Sequence, residues 1–213
     1  HNPLILTLVN SVNTEDSDLE LFFREIEKVA KDEIDNNIFT QAKNELQQEL
    51  NGKCEFDNET LEIDDEIIKS LTSQDILECV FNASSKGNIE VLKIPGNKQE
   101  LVFKLVTSEK PFGLIKIGDI SEWIKNKLKS YQIIERFENE SVFRNINKDD
   151  SDITLLMGSR AFYEGWDSNR PNILLYINIG KGIDARKFVL QSIGRGVRIE
   201  PIPHKRKRLQ YLY

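Results

Sequence analysis

The chain has 213 residues, enough for one substantial hydrophobic core or one core with a small appendage. Hydrophobic residues make up 39% and charged residues 30%, and no apolar run is long enough to span a bilayer. These values argue against a membrane protein or a disordered tail; no secretory leader is visible, and a soluble, cytoplasmic chain is the expectation. The formal charge of −6 is unevenly spread: residues 1–150 hold 18 Lys and Arg against 30 Asp and Glu, residues 151–213 hold 11 against 5. The acidic part is expected to be solvated and the basic part to face phosphates. Cys54 and Cys79 have neither metal-ligand spacing nor the density of a disulfide scaffold, which fits idle thiols in a reducing compartment.

Leu4-Ile5-Leu6-Thr7-Leu8-Val9 reads as a buried strand opening onto a polar loop at Asn10-Ser11. Asp16 or Ser17 can cap a helix to about Lys31, with Leu19, Phe22, Phe23, Ile26 and Val29 at helical spacing. Phe39–Leu50 and Glu59–Leu71 are polar, helix-prone stretches, and Ser73 can cap a helix through Phe81. Ile89–Ile94 and Glu100–Val106 read as strands around the turn Pro95-Gly96-Asn97. Residues at about 36–110 therefore look like a helical and hairpin insertion in a strand–helix alternation. Alternation resumes with a strand at Phe112–Ile117, a helix at Ser121–Lys129 and a strand at Gln132–Phe137. Further strands are expected at Ile153–Met157 and Asn172–Ile177, then a helix at Ala185–Ile193 and a basic tail from Ile199, with a cluster at His204–Arg208.

The most specific signal is Gln191-Ser192-Ile193-Gly194-Arg195-Gly196-Val197-Arg198, downstream of Glu164-Gly165-Trp166-Asp167. Two arginines three apart suit triphosphate oxygens, because the guanidinium is permanently charged and donates in a planar fork. The glycines permit close backbone approach. These segments resemble the sixth and fifth motifs of superfamily 2 helicases, and most closely those of the restriction subunit of type III restriction-modification enzymes. The resemblance runs from Pro3 to about Pro201; it is most specific from Ile153 onward and loosest across residues 36–88. It implies an α/β fold: a RecA-like domain with a mostly parallel sheet flanked by helices, the second of two motor lobes.

By the same resemblance, Arg195 and Arg198 act as arginine fingers, and Gln191, Gly165 and Asp167 touch the nucleotide. Ser159 and Arg160 then face the DNA path, and Ser11, in a loop similar to the fourth motif, contacts one DNA strand. Phe162 and Trp166 are expected to pack rather than react, and the Lys205–Arg208 run serves equally well as DNA contact or solvated surface. The cofactor implied is ATP with Mg2+, held mainly by a first lobe: the chain has no Gly-x-x-x-x-Gly-Lys-Ser/Thr and no magnesium-binding acidic block. No metal site is expected within it. The partners implied are double-stranded DNA, the upstream RecA-like lobe and the modification (methyltransferase) subunit. Two other readings fit the same residues: a lobe of another superfamily 2 ATPase (a type I restriction motor or a repair helicase), or a non-catalytic DNA-binding or assembly module on a RecA-like fold.

Overall fold

The computed structural model describes residues 3–51, 55–56, 59–60, 65–136, 139–159, 168 and 170–196. Its strands are β1 (Leu4–Val9), β2 (Glu55–Phe56), β3 (Glu59–Thr60), β4 (Ile89–Lys93), β5 (Glu100–Leu105), β6 (Pro111–Lys116), β7 (Ile133–Glu135), β8 (Leu155–Ser159) and β9 (Pro171–Ile177). Its helices are α1 (Asp18–Ala30), α2 (Asn36–Asn51), α3 (Asp65–Ser70), α4 (Ser73–Phe81), α5 (Ser121–Lys127) and α6 (Ile183–Gly196). Seven strands form one sheet in the order β7-β4-β5-β6-β8-β1-β9, while β2 and β3 pair separately. Only β5 runs against its neighbours; every other adjacent pair in the large sheet is parallel. This is the expected α/β architecture of RecA-like type, mostly parallel and flanked by helices.

Successive side chains of a strand point to opposite faces, and β1 feeds two cores in this way. Val9, with Ile5 beside it, joins Leu155, Met157 and Phe103 under α1, α4 and α5. Leu4, Leu6 and Leu8 join Leu114 and Leu156 on the other face, covered by Ala185 and Phe188 of α6 and by Ile146 and Ile153. A strand buried on both faces must be largely apolar, which is why β1 reads as an apolar run interrupted only by the buried Thr7. On the first face Phe23 of α1 sits 4.8 Å from Phe103 and 5.5 Å from Trp123, ring centroid to centroid, locking α1 and α5 to the sheet.

The segment expected as an insertion divides in two. Its hairpin is not an appendage: β4 and β5 extend the main sheet, and Leu77 and Phe81 of α4 enter the core. Six apolar residues of β4 and β5 lie in the two cores, more than a peripheral hairpin could bury. By contrast α2 buries none of its described side chains. It is held by Lys43, whose ammonium donates to the carbonyls of Lys69 (2.6 Å) and Leu71 (2.8 Å), where α3 ends and its carbonyls lack helical partners.

Among the boundaries that differ from expectation, three have a visible cause. Glu59–Thr60 pairs with Glu55–Phe56, so the helix expected from Glu59 begins only at Asp65. The cap of α4 is Thr72 rather than Ser73, because the Asp75 carboxylate accepts both the Thr72 amide (2.7 Å) and its hydroxyl (2.6 Å). Strand β8 starts at Leu155, two residues late, because the Ile153 carbonyl accepts from the Arg170 guanidinium at 2.7 Å.

Candidate functional site at the carboxyl edge of the sheet

In an open α/β sheet, ligands sit outside the carboxyl ends of strands, where adjacent connections leave toward opposite faces. Strands β1 and β9 meet that condition. They are parallel neighbours, with Val9 in register with Ile177. The helix after β1 packs on one face and the helix after β9 on the other. On its other side Val9 is in register with Ser159, the last residue of β8. Strands β8, β1 and β9 thus end side by side at one edge, with the loop through Ser11 and the Asn178–Gly182 turn into α6 leaving from it.

The crevice between β1 and β9 is bridged by one carboxylate. Asp18, at the first turn of α1, accepts from the Ser11 amide at 2.8 Å and the Ser11 hydroxyl at 2.6 Å through Oδ2. Its Oδ1 accepts from the Asn178 side-chain amide at 3.3 Å. Burial pushes the Asp18 carboxyl up, but these hydrogen bonds outweigh it and hold the group below its ordinary range. The start of α1 is saturated internally: the Ser11 hydroxyl accepts the Asp18 amide, the Ser11 carbonyl accepts that of Leu19, and Ser17 Oγ accepts that of Glu20. Asn178 has a left-handed φ of 52°, unusual outside glycine, and leads to Gly180 and Gly182 at φ 98° and 101°.

Of the residues singled out in the sequence, Ser11 and Ser159 are brought to this edge, both half-buried. Gln191 is exposed on α6, one residue before Ser192, whose hydroxyl lies 2.6 Å from that of Tyr176 near the end of β9. Arg195 lies in the last turn of α6, and its side chain is outside the described residues. Arg160, Gly165, Asp167 and Arg198 also lie outside them, as do Phe162, Trp166 and the tail from Ile199.

Two polar clusters were not anticipated. Arg170, 3% exposed, stands just before Pro171, where β9 begins, at the opposite, amino edge of the sheet. Its guanidinium donates to the carbonyls of Ile146 and Ile153, and its amide donates to Ser168 Oγ at 3.1 Å. It clamps the segment that crosses the second face; desolvation pushes its own pKa down. The second cluster lines a cleft of about 790 Å³ at the carboxyl edge, between the β4–β5 turn and residues 139–144. There Glu100, 2% exposed, accepts from Ser141 Oγ (2.7 Å), the Phe143 amide (3.2 Å) and Lys116 Nζ (3.3 Å). The only sequence signals were an Arg before a strand and a Glu opening one; their partners come from distant parts of the chain.

Among the described residues, no group of three or more His, Cys, Asp or Glu side chains is placed to hold a metal ion, and no helix is long and apolar enough to cross a membrane. Comparison of the chain with protein-family models, curated proteins and solved structures found no match.

Proposed function

We propose that this chain is the second motor lobe of an ATP-dependent DNA translocase, in the restriction subunit of a type III restriction enzyme. The observation that carries the reading is that β8, β1 and β9 end side by side at one edge, with the Ser11 loop and the turn into α6 leaving from it. That is where a RecA-like lobe of this kind needs the residues resembling the fourth and fifth motifs, with α6 leaving the same edge toward the sixth. The mostly parallel fold and the Gln191-to-Arg198 block support it jointly; neither would suffice alone.

In this reading, ATP and Mg2+ bind mainly to a P-loop lobe outside this chain. Closure of the two lobes brings Arg195 and Arg198 to the transferred phosphoryl group, with Gln191, Gly165 and Asp167 around the nucleotide. Ser11, Ser159 and Arg160 hold duplex DNA by its backbone, and the modification subunit supplies sequence recognition. An arginine finger neutralises charge that develops on the phosphoryl oxygens and contributes about 10³–10⁵ in turnover.

The test is Arg195→Ala in a protein joining this chain to its P-loop lobe. DNA-stimulated ATP turnover is expected to collapse by about 10³-fold or more, with nucleotide affinity retained. Unchanged turnover would remove the finger assignment and favour a non-catalytic DNA-binding module.

A further inference from the structure

The two loops that flank the β1–β9 crevice belong to elements on opposite faces of the sheet, and one side chain spans them. The Asp18 carboxylate takes two hydrogen bonds from Ser11 and one from Asn178, 160 positions further along the chain. Both donors of Ser11, its amide and its hydroxyl, are spent on Asp18. A phosphate that draws on either donor must therefore displace or share this carboxylate. Asn178, on the other side, sits at the hinge-like start of the α6 connection, in a left-handed conformation followed by two glycines with positive φ. Ile179 anchors that turn in the second core, while Gly180 and Gly182 on either side of Lys181 have open space where a Cβ would stand.

We infer that Asp18 is a positioning residue that couples the Ser11 loop to the turn leading into α6, so that engagement of a phosphate at Ser11 is felt at the helix carrying Gln191 and Arg195. The inference rests on the motor-lobe reading for what the coupling accomplishes: it is the route by which DNA at one face of the crevice adjusts the arginine helix on the other. The geometry of the bridge itself does not depend on that reading.

Three variants separate the possibilities. Asn178→Gly removes the bridge while keeping the positive φ at no steric cost. Asp18→Ala removes both arms. Asp18→Asn removes the charge but keeps the bridge, since the Asn178 amide can turn over to present its oxygen. In a protein joining this chain to its P-loop lobe, Asn178→Gly and Asp18→Ala should lower DNA-stimulated turnover about three- to tenfold, the scale of one lost solvent-accessible hydrogen bond. DNA-free turnover, DNA affinity and Tm of Asn178→Gly should stay close to wild type, and Asp18→Asn should keep the stimulation. Full stimulation in Asn178→Gly, or a loss in Asp18→Asn equal to that in Asp18→Ala, would overturn the coupling. If the wild-type protein shows no DNA stimulation at all, the motor reading fails by itself. The bridge is then judged by hydrogen exchange: faster exchange of residues 179–182 in Asp18→Ala sustains it, and unchanged exchange overturns it.

Discussion

The two edges of the sheet use polar side chains for opposite purposes. At the amino edge, Arg170 and Asn82 reach into the backbone and bind carbonyls: Ile146 and Ile153 for the arginine, Pro111 and Asp152 for the asparagine at 2.9 and 2.8 Å. Arg170 is buried and its carbonyl partners have no alternative in water, so this edge is fixed. At the carboxyl edge of β1 and β9, Asp18 joins side chain to side chain across a half-exposed crevice, where water or a phosphate can compete. Stability is concentrated at one end of the strands and exchangeable contacts at the other. On the proposed motor-lobe reading, that division would let the lobe keep its shape while altering its grip.

Substitutions can break or sharpen this contrast, and the largest effect is the loss of turnover expected for Arg195→Ala, with little change in stability. Next comes Arg170→Met, which fills the volume but strands two buried carbonyls; it should cost about 3–5 kcal/mol, read as a lower denaturant midpoint with an unchanged slope. A small loss there would mean the amino edge is less rigid than its burial implies.

Glu100 sharpens the comparison, because it is a buried, fully engaged carboxylate at the otherwise adjustable edge. Burial pushes its carboxyl up, yet the hydrogen bonds of Ser141, Asn97 and the Phe143 amide, with Lys116 nearby, hold it below the ordinary 4.5. A depressed folded pKa contributes stability that is complete above the unfolded value and is lost as pH falls through the folded one. Unfolding midpoints measured from about pH 6 down to about pH 3 should show this loss, and Glu100→Gln should flatten it, at a cost of about 1–3 kcal/mol near neutrality. At the small end, Ile38→Ser on the exposed face of α2 should change stability by under about 0.5 kcal/mol, because Ile38 is 62% exposed.

Much of the scaffold was legible in the sequence where burial is two-sided. Leu4–Val9 shows as an apolar run because neither face meets water, and Ser17 caps α1 as its position before the helical repeat suggests. The polar Glu59–Leu71 stretch misled, because Glu59–Thr60 finds a strand partner that helix propensity cannot foresee. The start of β8 was misplaced because Ile153 gives its carbonyl to Arg170, a partner that only the fold delivers. The same holds at the site. Ser11 follows an apolar run, a local signal, whereas Ser159 was named only through the resemblance and is the last residue of β8. Asp18 and Asn178 were missed, because their meaning depends on β1 and β9 being neighbours, which no spacing in the chain reveals.

The most direct test of the motor-lobe account is the dependence of ATP turnover on duplex DNA, in a protein joining this chain to its P-loop lobe. The account predicts turnover that rises on adding duplex DNA and falls back as salt weakens the backbone contacts. Turnover indifferent to DNA at every salt concentration would contradict it.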